Sequence, residues 1–186
     1  MPLQIDKWIE HRFSNGGIHK TEIDDLLKWT PFASILILDL LGTRSRNNWK
    51  KHLLLLGICE SVLSIVSNTL KGTFHEHRPE PTSRYDSFPS GHAATAFAGA
   101  EMIRMELKDE HPALSYTGYA VAASVSALRL YKDKHWMTDL VGGAVLGFVC
   151  TKLAYAIFGR KKKSKISEDE GSEVHVNTEG QLQLNM

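Results

Sequence analysis

Three short stretches hold the side chains with chemistry to offer. They are Lys71-Gly72-Thr73-Phe74-His75-Glu76-His77-Arg78-Pro79, Pro89-Ser90-Gly91-His92, and the run from Arg129 to His135 and on to Asp139. Lys71, Arg78 and Arg129 are cations with little acidic compensation at neighbouring helix ends, and together they repel one another unless an anion neutralises them. Arginine presents a planar fork of donors suited to phosphate oxygens, and lysine adds a point charge. Ser90 suits a helix N-cap and Gly91 lets an anion approach the backbone. The unpaired N–H groups of that helix start carry the positive end of its dipole. His135 and Asp139 stand four residues apart at another helix start, so they share a face. Asp139 can hold one ring nitrogen and leave the other free to attack. His92, beside a bound phosphate, can donate a proton. Two histidines, a carboxylate orienter and a ring of cations point to phosphoryl transfer through a phosphohistidine, with placement and electrostatics doing most of the catalysis.

The elements that must position these residues are helical. Five apolar segments lie at about 29–42, 52–70, 92–107, 113–131 and 138–158 of the 186 residues, with charged stretches between them. A membrane-crossing helix needs about 20 apolar residues. The last segment meets this with only Lys152 inside it, and the second meets it with one acid, Glu60. The first is short, and the third carries Glu101 and Arg104 near its end. Gly143 and Gly147 form a small-xxx-small pair, and the third and fourth segments are dense in Ala, Gly and Ser, the residues that let helices approach closely in lipid. The expected fold is all-α: an integral-membrane bundle of about five transmembrane helices, preceded by an amphipathic N-terminal helix in which Ile5, Trp8, Ile9 and Phe13 fall at helical spacing. A tightly packed soluble bundle is the alternative.

Three parts follow: an amphipathic segment over 1–28, a membrane-embedded domain over 29–160, and a basic anchor with a polar disordered tail over 161–186. Asn15-Gly16-Gly17 breaks the first helix, and Thr21-Glu22-Ile23-Asp24 has the form of a capping box for the next. No signal peptide is visible, and nothing in the balance of 22 basic and 21 acidic residues favours nucleic acid. Cys59 and Cys150, both inside apolar runs, read as buried free thiols. With five spans, the loop holding Arg44, Arg46, Lys50 and Lys51 shares a side with Arg160 to Lys163, and the positive-inside rule makes that side cytoplasmic. All three chemically equipped stretches then face outward.

In order and spacing, Lys71 with Arg78-Pro79, Pro89-Ser90-Gly91-His92, and Arg129 with His135 and Asp139 resemble the three signature motifs of the type 2 phosphatidic acid phosphatase superfamily, over about residues 50–158. The superfamily includes membrane lipid phosphatases, soluble acid phosphatases and vanadium haloperoxidases. The resemblance implies His135 as nucleophile, Asp139 as its orienting partner and His92 as proton donor to the leaving oxygen. It implies phosphate binding by Lys71, Arg78, Ser90, Gly91 and Arg129, with no metal and no cofactor. The third motif usually begins Ser-Arg, and here it is Leu128-Arg129. Lipid-phosphatase members commonly have six spans rather than five.

The implied protein is a multi-pass lipid phosphatase of a bacterial inner membrane. Its active site is periplasmic, its C-terminus cytoplasmic, and its partners are the bilayer and a lipid phosphate or diphosphate. Candidate substrates are undecaprenyl diphosphate, phosphatidylglycerol phosphate, phosphatidic acid and lipid A phosphate. The sequence does not choose among them and gives no oligomeric state. A vanadium-dependent haloperoxidase and a non-catalytic phosphate-binding membrane protein are the alternatives. His75 and His77 read as surface histidines of the phosphate loop. Glu60, Ser64, Ser67 and Lys71 form one polar helical stripe, read as a packing seam beneath the site.

Overall fold

The computed structural model describes residues 3–13, 22–43, 45–80 and 83–159, and among these every regular element is a helix. They are α1 (Gln4–Phe13), α2 (Ile23–Leu27), α3 (Thr30–Leu40), α4 (Trp49–Phe74), α5 (Gly91–Leu107), α6 (Thr117–Tyr131) and α7 (Met137–Phe158), with a short 3-10 turn at Leu114–Tyr116. The five apolar segments thus become α3 to α7. Of these, α4 and α7 are long and apolar enough to cross a membrane. The 11 residues of α3 rise only about 16 Å, against a hydrocarbon thickness of about 30 Å. All five expected segments are helical, and among the described residues two of them, α4 and α7, meet the requirements of a span on their own.

The centre of the bundle is α5, which packs most extensively on α7 and next on α6. Its sequence, GHAATAFAGAEMIRMEL, is dominated by small residues, and nearly every position from Ala93 to Ile103 is buried. Gly143 and Gly147 of α7 lie directly against it. A Cβ on Gly143 would stand 2.4 Å from the Ser90 carbonyl oxygen, and one on Gly147 would stand 2.2 Å from that of Ala94. The small-xxx-small pair therefore sets the distance between the two helices, as its spacing predicts. The two charges that interrupt the third segment satisfy each other: Arg104 Nε donates to Glu101 at 2.7 Å, and Tyr119 donates to the same carboxylate.

At the end of the bundle away from His92, buried His52 lies between two carboxylates, 2.5 Å from Asp39 and 3.0 Å from Glu106. Glu106 also accepts from the Asn47 backbone and side chain and from Tyr155, at 2.7, 2.6 and 2.6 Å. This polar knot ties α3, α4, α5 and α7 to the loop between α3 and α4. Cys59 and Cys150 are buried and free.

The capping box expected at Thr21 falls on a residue outside the described ones; among the described residues Glu22 is the N-cap of α2 (φ −95°, ψ 21°) and makes no side-chain cap bond. The N-terminal helix is docked on the bundle. Asp6, 1 % exposed, accepts from the Thr138 N–H and hydroxyl at 3.0 Å each and so joins α1 to the start of α7. Asn15-Gly16-Gly17, Thr21 and the basic anchor and tail lie outside the described residues.

Gly147→Ala forces its new methyl into the Ala94 carbonyl. It is expected to lower stability by about 1–3 kcal/mol, read as a drop in melting temperature in detergent. Gly72→Ala on α4 meets nothing within 4 Å and is expected to be neutral or slightly stabilising.

Candidate active site

The glycine contact between α5 and α7 brings the second and third motifs together. Ser90 is the N-cap of α5, and its hydroxyl accepts from the Ala93 N–H at 3.5 Å. Its own N–H donates to the Asp139 carbonyl at 3.0 Å. The Ser90 amide is therefore committed to α7 and is not among the outward-facing N–H groups that the sequence suggested. Gly91 follows as the first helical residue, with open space where a Cβ would stand.

Asp139 is the junction of the site. One carboxylate oxygen accepts from the Trp136 N–H at 2.8 Å, which caps α7, and from the Ser87 hydroxyl at 2.5 Å. The same oxygen stands 3.5 Å from Nδ1 of His135. The oxygen that caps α7 is thus also the one that faces the His135 ring. Both residues are buried, His135 at 2 % exposure and Asp139 at 1 %. Burial lowers the His135 pKa from the ordinary 6.5 to about 4; Asp139 opposes the shift, while the charges of Arg129 and Arg78 add to it. A neutral, oriented imidazole flanked by two guanidinium groups is the result. Because the folded-state pKa lies below the unfolded one, the stabilisation from keeping His135 neutral is complete above about pH 6.5 and is lost as pH falls towards 4.

The three cations do not stand uncompensated, which corrects the reading of the sequence. Arg78 forms a two-point pair with Asp86, at 2.8 and 3.2 Å, and Lys71 donates to the Asp86 backbone carbonyl at 2.5 Å. Burial alone would raise the Asp86 pKa, but Arg78 and Arg84 outweigh it and hold the carboxyl well below its usual range. Arg129 pairs with Asp24 of α2 at 2.7 Å, and Lys132 donates to the same carboxylate. Burial raises Asp24 too, yet these two cations bring it down to about 2. The neighbouring Asp25 pairs with Nε2 of His92, with Lys28 Nζ at 3.4 Å from the same nitrogen. Burying that many positive groups side by side requires such partners when no anion is bound.

Residues 52–163 match the PAP2 superfamily. This chain is a member of the PAP2 superfamily. It is 32% identical over 149 residues to the lipid A 1-phosphatase of Porphyromonas gingivalis, a match over 80% of this chain and 33% of that protein. The chain thus spans about a third of the length of the curated relative it matches. Among solved structures, the transmembrane PAP2 type phosphatidylglycerolphosphate phosphatase of Bacillus subtilis superposes with a TM-score of 0.60 at 21% identity, covering 86% of this chain and 87% of the other. Aquifex aeolicus LpxE superposes with a TM-score of 0.57 at 19% identity, covering 83% and 94%. These two likenesses establish the fold.

Every site residue expected of a PAP2 member from the sequence lies in this one cluster of helix ends and loops. Asp86, Ser87, Trp136, Lys132, Asp24 and Asp25 join them unanticipated. Asp86 and Ser87 immediately precede the second motif and could have been suspected from that adjacency. Asp24 is 105 residues from Arg129, and nothing local pairs them. His75 takes the left-handed conformation (φ 45°) that ends α4. His77 bonds the Arg78 carbonyl at 2.6 Å through Nδ1 and packs edge-on against Tyr85, so both histidines shape the loop.

A histidine-selective NMR titration checks the electrostatics. The His135 midpoint is expected near pH 4, moving up in Arg129→Gln, which removes a repelling charge, and down in Asp139→Asn, which removes the stabilising one.

Proposed function

We propose that this PAP2 member is an integral-membrane phosphatase that removes phosphate from a lipid phosphomonoester or diphosphate through a phosphohistidine. The observation that carries the reading is the buried His135–Asp139 contact between Arg78 and Arg129. With Nδ1 turned to Asp139, the proton sits on that nitrogen and the lone pair on Nε2 is free.

The steps follow from that arrangement. Lys71, Arg78 and Arg129, with Ser90 and the Gly91 backbone, hold the phosphate oxygens, and the incoming anion replaces Asp24 as the charge facing Arg129. His135 Nε2 bonds to phosphorus as the phosphorus–oxygen bond to the lipid breaks. The departing oxygen takes a proton from His92; burial and the Arg129 charge lower its pKa to about 4 and Asp25 opposes them, so the negative charge of the bound phosphate is what favours the protonated form. Water then gives a proton back to His92 and attacks phosphorus, the nitrogen–phosphorus bond breaks, and inorganic phosphate leaves. No step calls for a metal, since fixed cations supply the charge stabilisation.

Membrane residence is supported by the apolar lengths of α4 and α7 and by the transmembrane relative of the same fold. The distribution of basic residues supports a site on the periplasmic face and a cytoplasmic C-terminus. Lipid A phosphate heads the candidate substrates because the chain is 32% identical over 149 residues to a lipid A 1-phosphatase. Undecaprenyl diphosphate, phosphatidylglycerol phosphate and phosphatidic acid complete the panel.

Detergent-purified protein with EDTA present is expected to release phosphate from at least one of these four lipids. His135→Ala is expected to lose turnover by about a thousandfold or more while still binding vanadate. Turnover that survives in His135→Ala, or that disappears with EDTA, overturns the mechanism.

A further inference from the structure

The polar stripe on α4 is not a packing seam. With Trp29 at the start of α3 and with His92 and Thr95 on α5, it lines a cavity of about 290 Å³ that runs from Lys71 and His92 down to Glu60. Ser64 and Asn68 are exposed at its rim. One Glu60 oxygen accepts from the Thr95 hydroxyl at 3.1 Å. The other is buried and has no hydrogen-bond partner among the described residues. Both α4 and this carboxyl belong to a segment apolar enough to cross a membrane. A carboxyl there is costly unless a ligand or partner satisfies it, and it marks a functional position.

Building on the phosphatase reading, we propose that this groove is the headgroup subsite and that Glu60 selects lipid phosphates whose phosphate is carried on a hydroxyl- and amide-bearing unit, that is, an acylated sugar. The groove is continuous with the two residues that touch the phosphate and its leaving oxygen, so its occupant is the part of the lipid just beyond that oxygen. About 16 Å of helix rise separates Glu60 from Lys71, room for a sugar unit and its first acyl linkages. What lines the space complements such a unit. Glu60 takes a hydroxyl or amide N–H, Ser64 and Asn68 bond polar substituents, and the Trp29 indole offers a flat amphipathic face. A polyprenyl chain or a diacylglycerol has no donor to give Glu60 and would leave its oxygen buried and unpaired, the condition that rejects an analogue most strongly.

The test compares kcat/KM for an acylated glucosamine disaccharide 1-phosphate with that for dioleoyl phosphatidic acid and for undecaprenyl diphosphate. Because this is a ratio within one preparation, the fraction of folded protein cancels. Wild type is expected to favour the sugar phosphate by about tenfold or more. Glu60→Leu is expected to reduce that preference about tenfold, the loss of one buried hydrogen bond, with Glu60→Gln retaining most of it and rim variant Asn68→Ala reducing it less. An unchanged ratio in Glu60→Leu, or equal turnover of donor-free lipids by wild type, overturns the subsite and leaves the phosphatase reading intact. Thermal stabilisation by the phosphate-free disaccharide glycolipid provides a readout without turnover. Stabilisation of wild type that is lost in Glu60→Leu supports the subsite even if no lipid is hydrolysed, and the absence of any stabilisation counts against it.

Discussion

The arrangement of this protein depends on how closely α5 and α7 approach. At Gly143 and Gly147 the carbonyl oxygens of Ser90 and Ala94 occupy the space that side chains would fill. The buried polar contacts of the site presuppose that approach. It lets the Ser90 N–H reach the Asp139 carbonyl at 3.0 Å, so the N-cap of one helix is bonded to the first turn of the other. It also places Ser87 on the Asp139 carboxylate. Side chains of ordinary size between these helices would separate the two motifs and draw Ser87 and Ser90 away from Asp139. In lipid, where burial from water no longer draws helices together, this contact supplies both the attraction and the geometry.

The second constraint is electrostatic. Arg78, Arg129 and Lys132 are all buried, and their mutual repulsion must be met locally. Asp86 does so from the adjoining loop and Asp24 from α2. The pair on α2 gives the N-terminal segment a structural reason to fold over the site, and Asp6 fastens α1 to the start of α7 beside it. Asp86 and Asp24 neutralise the buried cations from within the protein itself.

The two ends of the bundle are built differently. Around His52, Asp39, Glu106, Asn47 and Tyr155 form a knot that holds four helices and the intervening loop. At the other end more polar atoms lack a hydrogen-bond partner among the described residues: Glu60, Asp139, Arg129 and His135 each keep one, against Nε2 of His52 in the knot. Such atoms cost stability where they stand, and their concentration around one groove and one site distinguishes the working end from the anchoring end.

Much of this was legible in the sequence. Five apolar segments with small residues at helical spacing predict the five helices, because helical periodicity and close packing are local properties of the chain. The motifs predict the site residues because caps, turns and an i, i+4 pair fix side chains within a few positions of one another: Ser90 on α5, and His135 with Asp139 at the start of α7. What only the tertiary structure decided was which charges meet. Asp24 and Arg129, or Glu60 and Thr95, are brought together by helix packing, and no periodicity encodes a pairing across 105 or 35 residues. For the same reason the stripe on α4 could be seen in the sequence but not interpreted there. Whether polar residues on one face of a helix form a seam or line a groove depends on how closely the neighbouring helix approaches, and that distance is set elsewhere in the fold.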